Sequence, residues 1–512
     1  MGKVYRILNV VLFSIYPILH LYVGNSGFLI DGGLLLPLLV SLVFSLLLYR
    51  LVLKFLKNKN NSVYVTVLIL FWLQIYGHVY YTLMDGFSIS YEAFKHRYFI
   101  VVYSGVLGLL LYAIRNKNEV SIKLVKVTAV IAIMLTAQFG YPIYKVFSVK
   151  QKEKNQNPLP PVETGLPDVY YIVADSYPNQ ENLSEFYNFD NSSFLQALRN
   201  IGFQVQDHAK SNYPYTYFSL ASSLNMEYIN YFEDSVRFGK HGDDFPFTKI
   251  YKNKVATHFK SKGYRYVFYK SAYAQLNNQS EVDLYIDNSL TINQFHSALL
   301  ELSVFSVFNT HLLQHSKVYN ICVKAFENLS ESSRIEGSKF VFFHCLPPHP
   351  PLVFSADGSY NKSSKDVKNR YQLKNEYVAQ VSYVNTAVLL AVQNILSTSK
   401  QKPIIIIQGD HGTCSEEEFE DELKWSDVPT KTLLRERYGV LNAVYSPEDH
   451  RVNFKKDHTP VNSFKLVFNS LFDEKMVLDS NVYYFSKYRV PYDFQSFRMD
   501  DESLEWGVGS RQ

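Results

Sequence analysis

The sequence predicts a membrane α-helical N-terminal region followed by an α/β domain whose central, mostly parallel sheet is flanked by helices. Three observations lead there. Apolar residues crowd the chain up to about residue 147, a charged and proline-rich stretch follows, and from residue 168 short apolar runs alternate with helical patterns. The 47% apolar content of the 512 residues is therefore an average over two unlike regions.

Five apolar segments, at residues 6–24, 33–54, 63–84, 97–115 and 124–146, approach the roughly 20 residues of helix that cross a hydrocarbon core. A cleaved leader would leave one such segment, so the first is expected to stay as an anchor. Cytoplasmic loops retain positive charge. Lys3 and Arg6 precede the first segment, Lys54, Lys57 and Lys59 follow the second, and Arg115, Lys117, Lys123 and Lys126 bracket the turn between the fourth and fifth. The alternate loops carry no net positive charge, so the N terminus is expected inside and the large domain outside a plasma (inner) membrane. Gln74 and His78 share one face of the third segment, where polar groups need partners: a lipid headgroup or an interhelical hydrogen bond.

Residues 1–149 thus read as the transmembrane region and 150–167 as a linker. Its sequence KQKEKNQNPLPPVETGLP resists helix and strand and suits a stiff stalk. A net charge of +4 with scattered basic residues argues against nucleic acid as a partner. The three cysteines, Cys322, Cys345 and Cys414, have no zinc-site spacing and set no disulfide framework.

In the second half, buried strands are expected at residues 168–174, 263–269, 339–343, 403–407 and 439–445, with helices between them, for example at 194–200 and 377–396. Ile404 to Ile407 have no polar alternation, as expected of a central strand covered on both faces. Three strands run into polar residues: Asp175, His344 and the pair Asp410-His411. Ligands of open α/β sheets bind at the carboxyl ends of strands, so these residues point to a common site. The domain is read as 168–495, with 496–512 as a tail.

The ordered segments DVYYIVADSY, SNYPYTYFSLASSLN, HCLPPHPPLVF, QGDHG, ERYGVLNAVY and HTPVNSFK resemble the sulfatase-like branch of the alkaline phosphatase superfamily. The nearest likeness is to membrane-anchored phosphoglycerol and phosphoethanolamine transferases of the lipoteichoic acid synthase type. The resemblance covers about residues 168–494 and implies an alkaline phosphatase-like fold. It further implies a divalent metal ion (Mn²⁺, Zn²⁺ or Mg²⁺), a lipid-linked donor and an envelope glycan or lipid acceptor.

Carried onto this chain, the resemblance makes Asp175, Thr216, Asp410 and His411 the metal ligands, and Thr216 the nucleophile. A threonine hydroxyl needs a metal or a base to attack at neutral pH, and the start of the helix at 217–224 aims N–H groups at a phosphate. By themselves, Asp175 also reads as a turn cap, Thr216 as a helix cap and Asp410-His411-Gly412 as a solvated turn. His349 is matched to a substrate-contacting or proton-transferring histidine, and His344 to a shared substrate-side histidine, each otherwise structural. Arg437 is a candidate anion-binding residue and His458 a candidate ligand of a second metal, a surface role being the alternative for both. The threonine excludes the formylglycine chemistry of sulfatases, which starts from cysteine or serine, and Asp175 stands where the transferases commonly have glutamate. The expected activity is phosphodiester transfer or hydrolysis. Sulfuric ester hydrolysis and a catalytically silent membrane scaffold are the alternatives.

Overall fold

A computed structural model describes residues 2–24, 34–86, 96–115, 122–144, 165–231, 245–288, 296, 299–300, 302–307, 311–361, 371, 373–415, 429–454, 458–487, 490–500 and 503–507. The proline-rich stalk falls almost wholly outside them, as do the loops at 25–33 and 87–95. The chain forms two compact units: Met1–Pro158 with Thr291–Gln314, and Leu159–Leu290 with His315–Gln512.

The first unit is a bundle of α1 (Gly2–Gly24), α2 (Leu35–Leu56), α3 (Lys59–Gly86), α4 (His96–Arg115) and α5 (Ile122–Ala137, helical again to Tyr144). Gly2–Val23, Leu35–Leu56, Lys59–Met84 and Ile122–Tyr144 are long and apolar enough to cross a membrane. The 20 residues of α4 rise about 30 Å, the thickness of a hydrocarbon core. Polar side chains tie the helices together: Arg6 Nε donates to Asn60 Oδ1 at 2.8 Å and Asn9 Nδ2 to the Val125 carbonyl at 2.8 Å. Gln74 Nε2 donates to the Ser14 carbonyl at 2.8 Å and to Ser41 Oγ at 3.2 Å. Gln74 therefore makes interhelical hydrogen bonds, whereas His78 is exposed.

Lys3, Arg6, Lys54, Lys57, Lys59, Lys123 and Lys126 lie at one end of this bundle, where α1 starts, α2 ends, and α3 and α5 start. A phosphatase reporter fused to the C terminus is accordingly expected to be active, and a fluorescent reporter that matures only in the cytoplasm to stay dark. The opposite pair of results would reverse the orientation.

The second unit is built on seven strands: β1 (Val169–Ala174), β2 (Gln204–Gln206), β3 (Arg265–Tyr269), β4 (Leu284–Ile286), β5 (Lys339–Cys345), β6 (Ile404–Gly409) and β7 (Asn442–Tyr445), in the order β2-β7-β6-β1-β5-β3-β4. The run from β6 to β4 is parallel, while β7 and β2 join antiparallel at one edge. Every residue of β1, β5 and β6 is buried, as the absence of polar alternation predicts. The five strands read from the sequence are all present; β2 and β4, three residues each, are too short to leave a pattern.

The flanking helices include α6 (Gln180–Tyr187), α7 (Ser192–Ile201), α8 (Thr216–Asn225), α9 (Phe245–Tyr251), α10 (Lys254–Ser261), α11 (His311–Ser330), α12 (Lys374–Thr398), α13 (Lys431–Tyr438) and α14 (Ser463–Phe472). α12 is itself long and apolar enough for a membrane, but its Tyr377, Val381, Val384, Val388, Val392 and Ile395 are buried in the core of the second unit. Three more strands, β8 (Tyr483–Lys487), β9 (Val490–Met499) and β10 (Leu504–Trp506), form a separate antiparallel sheet. It takes in residues that patterning leaves to a tail: Phe497 is buried, and its ring packs on Tyr438 and Trp506.

Candidate active site

Strand register assembles the site. β1 lies between β5 and β6, and Ala174 pairs with both Cys345 and Gly409. Asp175 and Asp410, each the next residue along, therefore emerge side by side from adjacent parallel strands, which run roughly 4.8 Å apart. His344 pairs with Val173 one strand away. Asp175, His344 and Asp410 are all buried, and each offers a ligand atom within 4.8 Å of the others.

The polypeptide fixes one side of Asp410 and of His344 and leaves the other bare. Asp410 Oδ1 accepts the Ser176 and His411 N–H groups, both at 2.9 Å. His344 Nδ1 shares a hydrogen bond with Ser271 Oγ at 2.9 Å. Asp410 Oδ2, Asp175 Oδ1 and His344 Nε2, all buried, have no hydrogen-bond partner among the described residues. His344 Nε2 stands 3.6 Å from Asp175 Oδ2. Burial, then the charge of Asp410, pushes the Asp175 carboxyl well above its usual range, with Arg437 pulling the other way. Burial also lowers His344 to about 4, so its imidazole is neutral. Two buried carboxylates beside a neutral imidazole are costly without a cation and well matched to one, so the residues fit a divalent ion.

His411 borders this group. Its Nε2 is 3.5 Å from Asp175 Oδ1, 3.8 Å from Asp410 Oδ2 and 3.1 Å from Thr216 Oγ1. Nδ1 lies 2.8 Å from the Gly412 carbonyl, which can only accept, so Nδ1 carries the proton and Nε2 presents a lone pair. Burial and the nearby Arg437 keep the ring neutral, well below its usual pKa. Thr216 is the first residue of α8, after an extended Tyr215, and is buried.

The turn after β6 needs glycine. A Cβ on Gly412 would fall 2.0 Å from the Glu436 carbonyl and 2.9 Å from that of Gly439, because α13 packs directly on the turn. Gly412 N–H donates to the Arg437 carbonyl at 2.6 Å.

The other residues singled out in the sequence divide. His349 is half-buried, its backbone N–H donates to the Asp175 carbonyl at 3.0 Å, and its ring centroid is 6.3 Å from that of His411, so it flanks the site. Arg437 is buried rather than superficial: Nε donates to the Pro214 carbonyl at 2.7 Å and Nη1 to the Gly412 carbonyl at 3.3 Å, joining the segment before Thr216 to the turn after Asp410. His458 is buried, stacks on Phe454 with centroids 4.1 Å apart and pairs with Ser463 Oγ at 2.9 Å. It lies outside the ligand group formed among the described residues.

Several supporting residues carry no motif. Ser176 adopts a left-handed conformation (φ 60°) that turns its N–H to Asp410 and its hydroxyl to the Gly412 carbonyl. Gln380 on α12 accepts the Val353 N–H and donates to the Pro348 and His349 carbonyls, bracing the PPHPP loop. Glu436 accepts from Thr413 Oγ1 and the Ser415 N–H. Only the polar residue directly after a strand hinted at Ser176.

No family model matches the chain, and no curated protein matches it. Among solved structures it is similar to the integral membrane lipooligosaccharide phosphoethanolamine transferase A of Neisseria meningitidis, with 10% identity over 90% of this chain and 95% of that one and a TM-score of 0.40. It is also similar to the zinc complex of the C-terminal periplasmic domain of EcEptC from Escherichia coli, with 13% identity over 60% and 83% of the two chains and a TM-score of 0.40. A third similar structure is yidJ of Bacteroides fragilis, described as a sulfatase candidate, with 13% identity over 68% and 89% and a TM-score of 0.38.

Proposed function

We propose that this chain is a membrane-anchored enzyme that transfers or hydrolyses phosphodiesters through Thr216, taking its phosphoryl-linked group from a lipid donor outside the cytoplasm. The observation that carries this reading is the hydroxyl of Thr216 at the start of α8, 3.1 Å from Nε2 of His411 and beside a buried ligand set suited to a cation. Asp175, Asp410 and His344, with Thr216 at their edge, would hold the divalent ion, and His411 would border it. When bound, the ion supplies Lewis acidity to the threonine oxygen and to the phosphoryl oxygens.

The chain's own residues account for the remaining steps. His411 Nε2 accepts the hydrogen bond of the threonine O–H and takes its proton as the oxygen attacks phosphorus, returning it when that oxygen leaves again. The N-terminal turn of α8 presents N–H groups to a phosphoryl oxygen. A Thr216 O–P bond forms as the bond from phosphorus to the diacylglycerol oxygen breaks, and His349 is placed to give that oxygen a proton. An acceptor alcohol or water then cleaves the phosphothreonine and restores the hydroxyl. Arg437, with two nitrogens committed to carbonyls, positions the loops rather than taking the phosphate. His458 belongs to the packing under α14.

The test uses the full-length, metal-loaded protein in vesicles containing phosphatidylglycerol or phosphatidylethanolamine. Diacylglycerol release, with a phosphorus-containing mass increase on the Thr216 peptide, is expected. Turnover of a sulfate ester with no diacylglycerol from either lipid would replace this reading with sulfuric ester hydrolysis.

A further inference from the structure

The connection between β4 and α11 leaves the second unit in sequence and packs instead with the first. Leu299 and Leu302 lie against the cluster of Tyr22 and Phe139, and Val304 and Val307 against that of Tyr80 and Phe99. Those partners belong to the end of α1, the region after α5, the end of α3 and the start of α4. All are at one end of the bundle, opposite the basic residues.

The local backbone suits an apolar setting. Ser303 N–H donates to the Leu300 carbonyl at 3.3 Å, Phe305 N–H to Ser303 Oγ at 3.2 Å and Ser306 N–H to the Ser303 carbonyl at 3.0 Å, closing a 3-10 turn over Val304–Val307. Backbone paired within itself is what hydrocarbon demands. Val304 and Val307 face the bundle, whereas Phe305 between them is 56% exposed. Half a turn along α4 from Phe99, Val101 and Val102 begin the exposed apolar surface of that helix, at 70% and 59%. Phe305 is thus an exposed apolar ring on a segment whose Leu299, Leu302, Val304 and Val307 pack on the bundle.

We propose that residues 299–300 and 302–307 form a membrane-interface clamp. Leu299, Leu302, Val304 and Val307 seat the segment on the non-cytoplasmic end of the bundle, and Phe305 enters the boundary between headgroups and acyl chains of the outer leaflet. An aromatic ring on a short apolar element is suited to that depth. The clamp is independent of the chemistry proposed above.

The native cysteines are buried, so a single introduced thiol can be labelled in the full-length protein. In phosphatidylcholine–phosphatidylglycerol vesicles, a fluorophore on Phe305→Cys should lose emission to lipids carrying a nitroxide near the headgroup, and less to those carrying it at the chain end. A label on Leu109→Cys, 72% exposed on α4, should be quenched by the chain nitroxide. Adding Leu302→Asp should relieve the quenching at position 305 by undocking the segment. An unquenched Phe305→Cys label beside a quenched Leu109→Cys label would overturn the clamp, and so would cross-linking of position 305 to a second copy. Unchanged quenching with Leu302→Asp would overturn the docking.

Discussion

Thr216→Ala should abolish phosphodiester turnover, by roughly 10³-fold or more, the scale on which losing an attacking group acts. The variant keeps the lone pair of His411 and all three buried ligand side chains, so its metal content should stay close to wild type. The fold loses one hydrogen bond, from Thr216 Oγ1 to His411, worth about 1 kcal/mol. Thr216→Ser restores an oxygen at the same position and should recover part of the rate. Reading kcat, metal content and melting temperature on the same preparation separates loss of chemistry from loss of structure. A folded, metal-loaded Thr216→Ala protein that turns over at the wild-type rate would end the assignment of a nucleophile here.

The second large effect concerns Asp410, and its sign depends on metal. Asn at this position keeps an oxygen to accept the Ser176 and His411 N–H groups but removes the negative charge. Metal affinity should fall by more than the roughly 10- to 100-fold that altering an outer-shell partner costs, and activity should fall with it. Without metal the same change should stabilise the protein, because Asp175 and Asp410 no longer confront each other in a buried site. Metal titrations and melting curves with and without chelator therefore give opposite shifts for one substitution. If Asp410→Asn lowered the melting temperature equally in both conditions, the carboxylate would be structural and the cation site would be wrong.

Much of this site was legible because its parts are local. Asp175 and His344 directly follow apolar runs and Asp410 stands three residues past Ile407, and parallel register carries such positions to one edge of a sheet. Thr216 was legible only through the resemblance of SNYPYTYFS, since a threonine before a helix is ordinary. The part of His344 in the ligand group was not legible, because it depends on which strand lies beside β1. Arg437 read as an anion site because nothing in the sequence reveals that the Pro214 and Gly412 carbonyls meet its guanidinium. The clamp was hidden for the same reason: SALLELSVFSV has the composition of a core segment, and only the fold tells which core.

The position of β1 also bears on how the protein is made. β1 is synthesised first among the strands, yet its neighbours β5 and β6 begin at Lys339 and Ile404, so Val169 waits more than two hundred residues for its partner Ile404. Pairing over such separations is slow, and an apolar strand without neighbours is prone to aggregate. The helical bundle precedes it on the ribosome and can be complete in the bilayer by then. Through most of its own synthesis the second half is thus a tethered chain with an open strand edge. Folding helpers on the far side of the membrane have their longest opportunity between the emergence of residue 169 and that of residue 409.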